Sequence, residues 1–326
     1  MSSQKNDHQH LSHSAQELSD DQSCKHNPAK KCCKYTSTEE QGHCQDVAHH
    51  HDHHNCSHDH HHHDHHNCSH DHHHTDQYTR HQYSESEVAN FSSLNVDQLI
   101  GKVNNLLEHE FYGKAVPLLE IIAKKLQQEK DISEEHKKHT FETQHHLALT
   151  YGIIGEHKNS LLLWQDVIKI IEQKNDLDEL LEAYYNAALS AEQAQNETDF
   201  LNYLNTGLNK AIQNKLEEWE ATFEHELAVY HFEKQNLAIS EQKLNRSIAI
   251  FTAKNNEESL VASYYYLAYL KEKLEQISDA KALYEKALQL SKKEEVRLAV
   301  EYERALIEER LANINKKHLK AKLLDF

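Results

Sequence analysis

Glycine and proline are scarce: the 326 residues contain six glycines and two prolines, Pro28 and Pro117. Scarcity of both breakers favours long helices over a turn-rich sheet fold. No run of about 18 apolar residues exists to span a bilayer, and Met1 to Asp20 lack the apolar stretch of a secretion signal. Basic charge is also short, with 35 Lys and Arg against 53 Asp and Glu, a formal net charge of −18. The deficit runs through both parts of the chain, −8 in residues 1–90 (6 basic, 14 acidic) and −10 in the rest (29 and 39). Without a basic stripe, the electrostatic attraction that nucleic-acid binding needs is missing. An anionic membrane surface is disfavoured for the same reason. There is no GxxxxGK[ST] phosphate loop, no G-x-S-x-G elbow and no carboxylate pair marked out for acid–base work. These absences predict a cytoplasmic, non-enzymatic protein with neither nucleic acid nor membrane as a partner.

What is present divides the chain in two. Residues 1–90 carry 22 of the 31 histidines and all six cysteines, with Leu11, Leu18, Val47 and Val88 as their only large aliphatic side chains. So little apolar surface cannot offset the entropy of ordering, which predicts a disordered tail. Its densest stretch is an internal duplication: HHHDHHNCSHDHH starts at His49 and again at His61, so that Cys56 aligns with Cys68. The candidate metal ligands there are His49, His50, His51, His53, His54, Cys56, His58, His60, His61, His62, His63, His65, His66, Cys68, His70, His72, His73 and His74. Neutral imidazole and thiolate suit Zn²⁺, and imidazole also suits Ni²⁺. Ligands so dense on a flexible chain form interchangeable sites, enough for ~4 tetrahedral ions at most.

Upstream, Cys24, His26, Cys32, Cys33, His43 and Cys44 form a sparser cluster whose spacing matches no common zinc-finger pattern. In a reducing compartment these cysteines are thiols or metal ligands rather than disulfides. The tract from His49 to His74 resembles the histidine-rich segments of bacterial zinc and nickel handling proteins, among them CobW-type GTPases, nickel-insertion GTPases and small histidine-rich nickel storage proteins. The resemblance implies metal buffering, delivery or sensing. Composition alone leaves open a low-complexity spacer with incidental metal affinity, or a storage protein.

Past Asn90 the apolar residues fall at helical spacing with a period of 40. Ala148, Ala188, Ala228 and Ala268 mark it. Sixteen residues after each stand Trp164, Leu204, Leu244 and Tyr284, and twenty after stand Ile168, Leu208, Ile248 and Leu288. Such a register predicts helical hairpins, in which a small residue on helix A admits a close partner and large residues of helix B fill the gap between hairpins. The last unit, YYYLAYLKEKLEQISDAKALYEKALQL, resembles a tetratricopeptide repeat, with Leu267 and Ala268 in helix A and Ala280, Tyr284 and Ala287 in helix B. Earlier units carry Ser160, Phe200 and Ser240 in the Ala280 column and Val167, Gly207 and Ser247 in the Ala287 column.

The period exceeds the family's usual 34 residues. The expected fold is therefore all-α, a tetratricopeptide-like solenoid over residues 91–326 stacked as one continuous array. Val96–Leu107 and Ala115–Leu126 read as a preceding hairpin, with Pro117 in a first helical turn. Residues 294–315 read as a capping helix with Leu298, Tyr302, Ala305 and Leu306 on the array and Glu301, Glu308, Glu309 and Arg310 in water. About eleven helices result.

The family resemblance implies a ligand groove lined by the A helices. Its candidate residues are His145, Leu149, Tyr185, Asn186, Leu189, His225, Val229, Phe232, Tyr265 and Tyr269, edged by Glu142, Glu182, Glu192, Glu226, Glu233 and Glu272. An acidic rim favours a basic or amphipathic protein segment as partner, with self-association left open. The family's clamp for chaperone C-terminal carboxylates is not reproduced, since only Asn186 of such a set is present. His136 and His139, three residues apart on one helix face, read as solvated or capping.

Overall fold

The computed structural model describes residues 77–324 apart from 131, 132 and 175, and side chains only as far as residue 316 at the C-terminal end. The whole candidate metal set from Cys24 to His74 lies outside the described residues.

Among the described residues there are twelve helices and no strands. They are α1 Glu85–Ser93, α2 Val96–Glu108, α3 Tyr112–Gln128, α4 Glu134–Ile153, α5 His157–Lys174, α6 Leu177–Gln193, α7 Glu197–Asn214, α8 Glu217–Glu233, α9 Leu237–Lys254, α10 Glu257–Lys273, α11 Ile277–Ser291 and α12 Glu301–Leu324. Helix α1 rests on α3, and from α2 onward each helix packs chiefly on its neighbours in sequence, so α2–α3, α4–α5, α6–α7, α8–α9 and α10–α11 are stacked hairpins. The A helices α8 and α10 also touch directly, as do α10 and α12, which lays one A-helix face along the array.

The turns explain the period. Gln195, Lys215, Gln235, Asn255 and Glu275, twenty residues apart, all adopt positive φ of 55–61°, and Gly155 does so at 82°. At each, the next backbone N–H closes back on a carbonyl five residues earlier, as in Asn196 to Ala191 (2.8 Å), Leu216 to Ala211 (2.9 Å) and Asn236 to His231 (2.8 Å). This left-handed stop satisfies the last carbonyls of a helix. Asn196 and Asn256 then cap the following helix through their side chains. One turn design repeated at 195, 215, 235, 255 and 275, both within hairpins and between them, makes 40 out of two units of 20.

The core follows the repeat columns. The marker alanines are fully buried, as are Trp164, Leu204, Leu244 and Tyr284. In the Ala280 column, Ser160 and Ser240 are also buried and donate to the carbonyls of Ala148 (2.6 Å) and Ala228 (2.8 Å). A hydroxyl replaces the small apolar residue there because it finds its acceptor on the paired helix.

Three expectations are corrected. First, packed structure begins ahead of residue 91. Gly113 N–H donates to the Gln77 carbonyl (2.8 Å), and Arg80 bonds both Glu120 (2.7 and 3.0 Å) and Glu156 (2.7 and 3.0 Å). Helix α1 follows, closed by a Ser84–Glu87 capping box. Second, Pro117 is interior to α3, which starts at Tyr112. Proline offers no N–H to the Gly113 carbonyl four residues back, and His81 N–H supplies that bond instead at 2.9 Å. Third, residues 294–300 form turns, and α12 begins at Glu301. Its buried face is Glu303, Ile307, Leu311 and Ile314, with Val296 and Val300 ahead of it. Leu298, Tyr302 and Ala305 face solvent. The rotation arises because the turns, rather than a continuous helix, carry the chain back onto α11.

Candidate ligand groove

The A helices α4, α6, α8 and α10 set the marker alanines against the B helices and turn their other face outward. Of the ten expected groove residues, Tyr185, Asn186, Leu189, Phe232 and Tyr265 are buried. His145, Leu149, His225, Val229 and Tyr269 are half-buried. The column three before each alanine is thus an internal layer more than an open floor. His145 meets the Trp164 ring edge-on at 5.3 Å, and His225 Nδ1 lies 3.0 Å from Ser263 Oγ. Tyr185 donates to Glu226 (3.1 Å), and Tyr265 packs on Tyr284 (5.9 Å). Burial, with help from His146 and Lys174, pushes the His145 imidazole down to about 4, so it is neutral in the folded protein at pH 7.

The column two before each alanine holds His146, Asn186, Glu226 and Tyr266, of which the sequence singled out Asn186 and Glu226. Three features lie along this face. Near α2, a cleft of about 140 Å³ is lined by Asn104, Glu142, Thr143 and His146 among apolar neighbours. Burial depresses the His146 imidazole, partly offset by Glu142. Between α4 and α6, Leu149, Gly152, Leu189 and Asn186 surround a small recess. Among the described residues neither amide atom of Asn186, 3% exposed, has a hydrogen-bond partner.

The third feature lies between α6, α8 and α10, where the charges of Glu192, Glu226 and Glu233 reach Tyr266. Burial first, then the Glu226 and Glu233 carboxylates, push the Glu192 carboxyl up to about 8. Burial and the same carboxylates raise the Tyr266 phenol. At the α12 end, the Phe232 and Tyr269 rings meet at a tilt with centres 4.9 Å apart, and the Arg310 guanidinium lies 4.2 Å from the Tyr269 ring centre. Arg310, expected in water, is half-buried.

His136 is capped rather than capping: Ser133 Oγ accepts from its backbone N–H, and its ring lies 3.3 Å from Glu129, while His139 lies 3.8 Å from Asp97. Among the described residues no group of three or more His, Cys, Asp or Glu is placed to hold a metal ion. No helix among them is long and apolar enough to cross a membrane.

No protein-family model matches the sequence, and no curated protein does. Among solved structures, the apo form of RapI is similar over 70% of this chain and 84% of its own, with 15% identity and a TM-score of 0.57. The fold is a tetratricopeptide-like solenoid. BtubC from P. vanneervenii matches at 15% identity over 63% of this chain and 82% of its own, TM-score 0.48. A Podospora anserina protein of putative kinesin light chain, nearly identical TPR-like repeats, matches at 18% over 65% and 97%, TM-score 0.47.

Proposed function

We propose that this chain is a non-enzymatic protein-interaction adaptor, whose A-helix face takes an extended segment of a partner while residues 1–90 hold Zn²⁺ or Ni²⁺. The observation that carries the groove reading is the Asn186 amide. Leaving a buried amide unanswered costs on the order of 1–3 kcal/mol. It lines the small recess beside Leu149 and Leu189, where a main-chain amide of a bound segment, which presents both an N–H and a C=O, would answer it once those side chains part. The Glu192, Glu226 and Glu233 group supports a basic or amphipathic partner.

Two measurements test the reading. A random decapeptide library passed over the full chain should yield a retained set that Asn186→Ala reduces by about tenfold, the loss of one buried hydrogen-bonding partner. Retention unaffected by Asn186→Ala would remove the groove from the proposal. Calorimetric titration of Zn²⁺ and Ni²⁺ with thiols reduced should show several ions bound per full chain, ~4 in the His49–His74 tract. Binding should fall sharply when the tract's histidines are replaced by serine. An unchanged isotherm would remove metal handling and leave the adaptor alone.

A further inference from the structure

Helix α12 is longer than the helices it packs on, 24 residues against 17 in α10 and 15 in α11. Its buried stripe is Glu303, Ile307, Leu311 and Ile314. On the opposite side of the helix Tyr302, Ala305, Glu309, Ala312 and Lys316 follow one another at helical spacing, and all are exposed. Tyr302 is 44% exposed, and Leu298, just ahead of the helix, 69%. A solenoid end that meets only water carries a polar outer face. This end carries two large apolar side chains.

The same face divides by charge. Residues 301–310 hold Glu301, Glu303, Glu308 and Glu309 against Arg304 and Arg310, whereas residues 311–324 hold Lys316, Lys317, Lys320 and Lys322 and no Asp or Glu. The helix dipole accounts for carboxylates in a first turn and lysines in a last one. It does not account for Glu309 and Lys316, which lie about two turns or more from either end. Among the described residues the ion pair made within α12 is Arg304 with Glu301. Glu309 and Lys316 have no opposite charge three or four residues away along the helix.

We propose that α12 is a self-association surface, packing antiparallel on α12 of a second copy about a two-fold axis near Ala312 and Asn313. That register sets Glu308 and Glu309 of each chain against Lys316 and Lys317 of the other, and brings Tyr302 to the turn that carries Leu319 and Leu323. Parallel pairing would set Glu309 on Glu309 and Lys316 on Lys316, which repels. Both chains use the same patch, so the contact closes at two copies. The proposal is independent of the groove reading.

Sedimentation velocity of the full chain tests it, with a chelator present so that the histidine tract cannot bridge chains through metal. Wild type should pass from monomer to dimer as concentration rises, and no further. Glu308→Lys with Glu309→Lys makes the exposed face basic along its length, and Lys316→Glu with Lys317→Glu makes it acidic. Circular dichroism confirms that both variants fold. Each should self-associate about tenfold more weakly, and an equimolar mixture of the two should regain the dimer, because every contact then joins opposite charges. A wild type that stays monomeric overturns the proposal, as does a dimer that both reversals leave intact. Weakening in only one of the variants, unrelieved by mixing, places α12 against a different surface and overturns the antiparallel contact. Growth beyond two copies overturns the two-fold arrangement.

Discussion

Gly207→Ala should destabilise the protein by roughly 1–3 kcal/mol, the range for overpacking a rigid core. A Cβ on Gly207 would stand 2.6 and 2.7 Å from the Cε atoms of Phe223 and closer still to Cζ. Those atoms are the far end of a side chain, and on a surface they would swing aside. Here they cannot, because Phe223 is fully buried between α7 and α8. It is hemmed in by the Trp219 ring at 5.9 Å and the Tyr185 ring at 6.5 Å. The other repeats carry Val167, Ser247 and Ala287 in this column, so nothing about the helix itself demands glycine. The demand comes from one aromatic ring of the next hairpin. Chemical denaturation should show the lowered midpoint, and Phe223→Leu in the same chain should restore much of it, since residues in contact do not add. Equal stability of Gly207→Ala and the wild type would mean that the α7–α8 contact is looser than the ring spacing requires.

The same contact shows how far the sequence could be read. The marker alanines and the Trp164, Leu204, Leu244 and Tyr284 column were legible because close helix approach and gap filling select residue size directly, and size repeats at 40. The Gly207–Phe223 pair was not, because each side chain departs from the repeat alone and only their meeting gives either a reason. The turns were equally silent. Gln195, Lys215, Gln235 and Glu275 hold a left-handed backbone where glycine would be the usual mark, so the 20-residue half-period has no compositional sign.

The segment from Gln77 to Tyr83 lacks aliphatic periodicity and docks by polar bonds, of which His81 N–H to the Gly113 carbonyl makes sense only once Pro117 is placed inside α3. In the groove, the column three before each alanine was chosen from the family's pattern. Its side chains turn inward because His145 and Tyr265 find Trp164 and Tyr284 beside them. Arg310 was assigned to water on the assumption of an unbroken helix from residue 294. The turns before Glu301 rotate it onto Tyr269.

Glu192→Gln should abolish a fall in stability that the wild-type protein shows as pH rises from about 5 to about 8. The folded-state carboxyl titrates near 8, whereas in the unfolded chain it titrates near the ordinary value of about 4.3. Between those limits the folded state binds a proton that the unfolded state has released, so unfolding becomes easier with each step up in pH. Below about 4.3 both states are protonated and Glu192 exerts no penalty. Above about 8 both are ionised, and the folded state bears the full cost of a desolvated carboxylate beside Glu226 and Glu233. After allowance for partial solvent screening, that cost is about 3 kcal/mol. Glutamine keeps the shape without the charge, so its stability should exceed the wild type's by about that amount at pH 8.5 and match it at pH 4.5. His145 acts in the opposite sense: between about 6.5 and about 4 the unfolded chain takes up a proton that the folded imidazole does not, so stability falls as pH falls through that range. The comparison must therefore be variant against wild type at each pH. Retention of a cationic peptide at the three carboxylates would draw Glu192 into its ionised form. Binding should then release up to one proton at pH 7, and calorimetry in buffers of different ionisation enthalpy would count it. A flat difference between Glu192→Gln and wild type across pH 5 to 8 would show that the Glu192 carboxyl is hydrated and clear enough of Glu226 and Glu233 to ionise in its ordinary range.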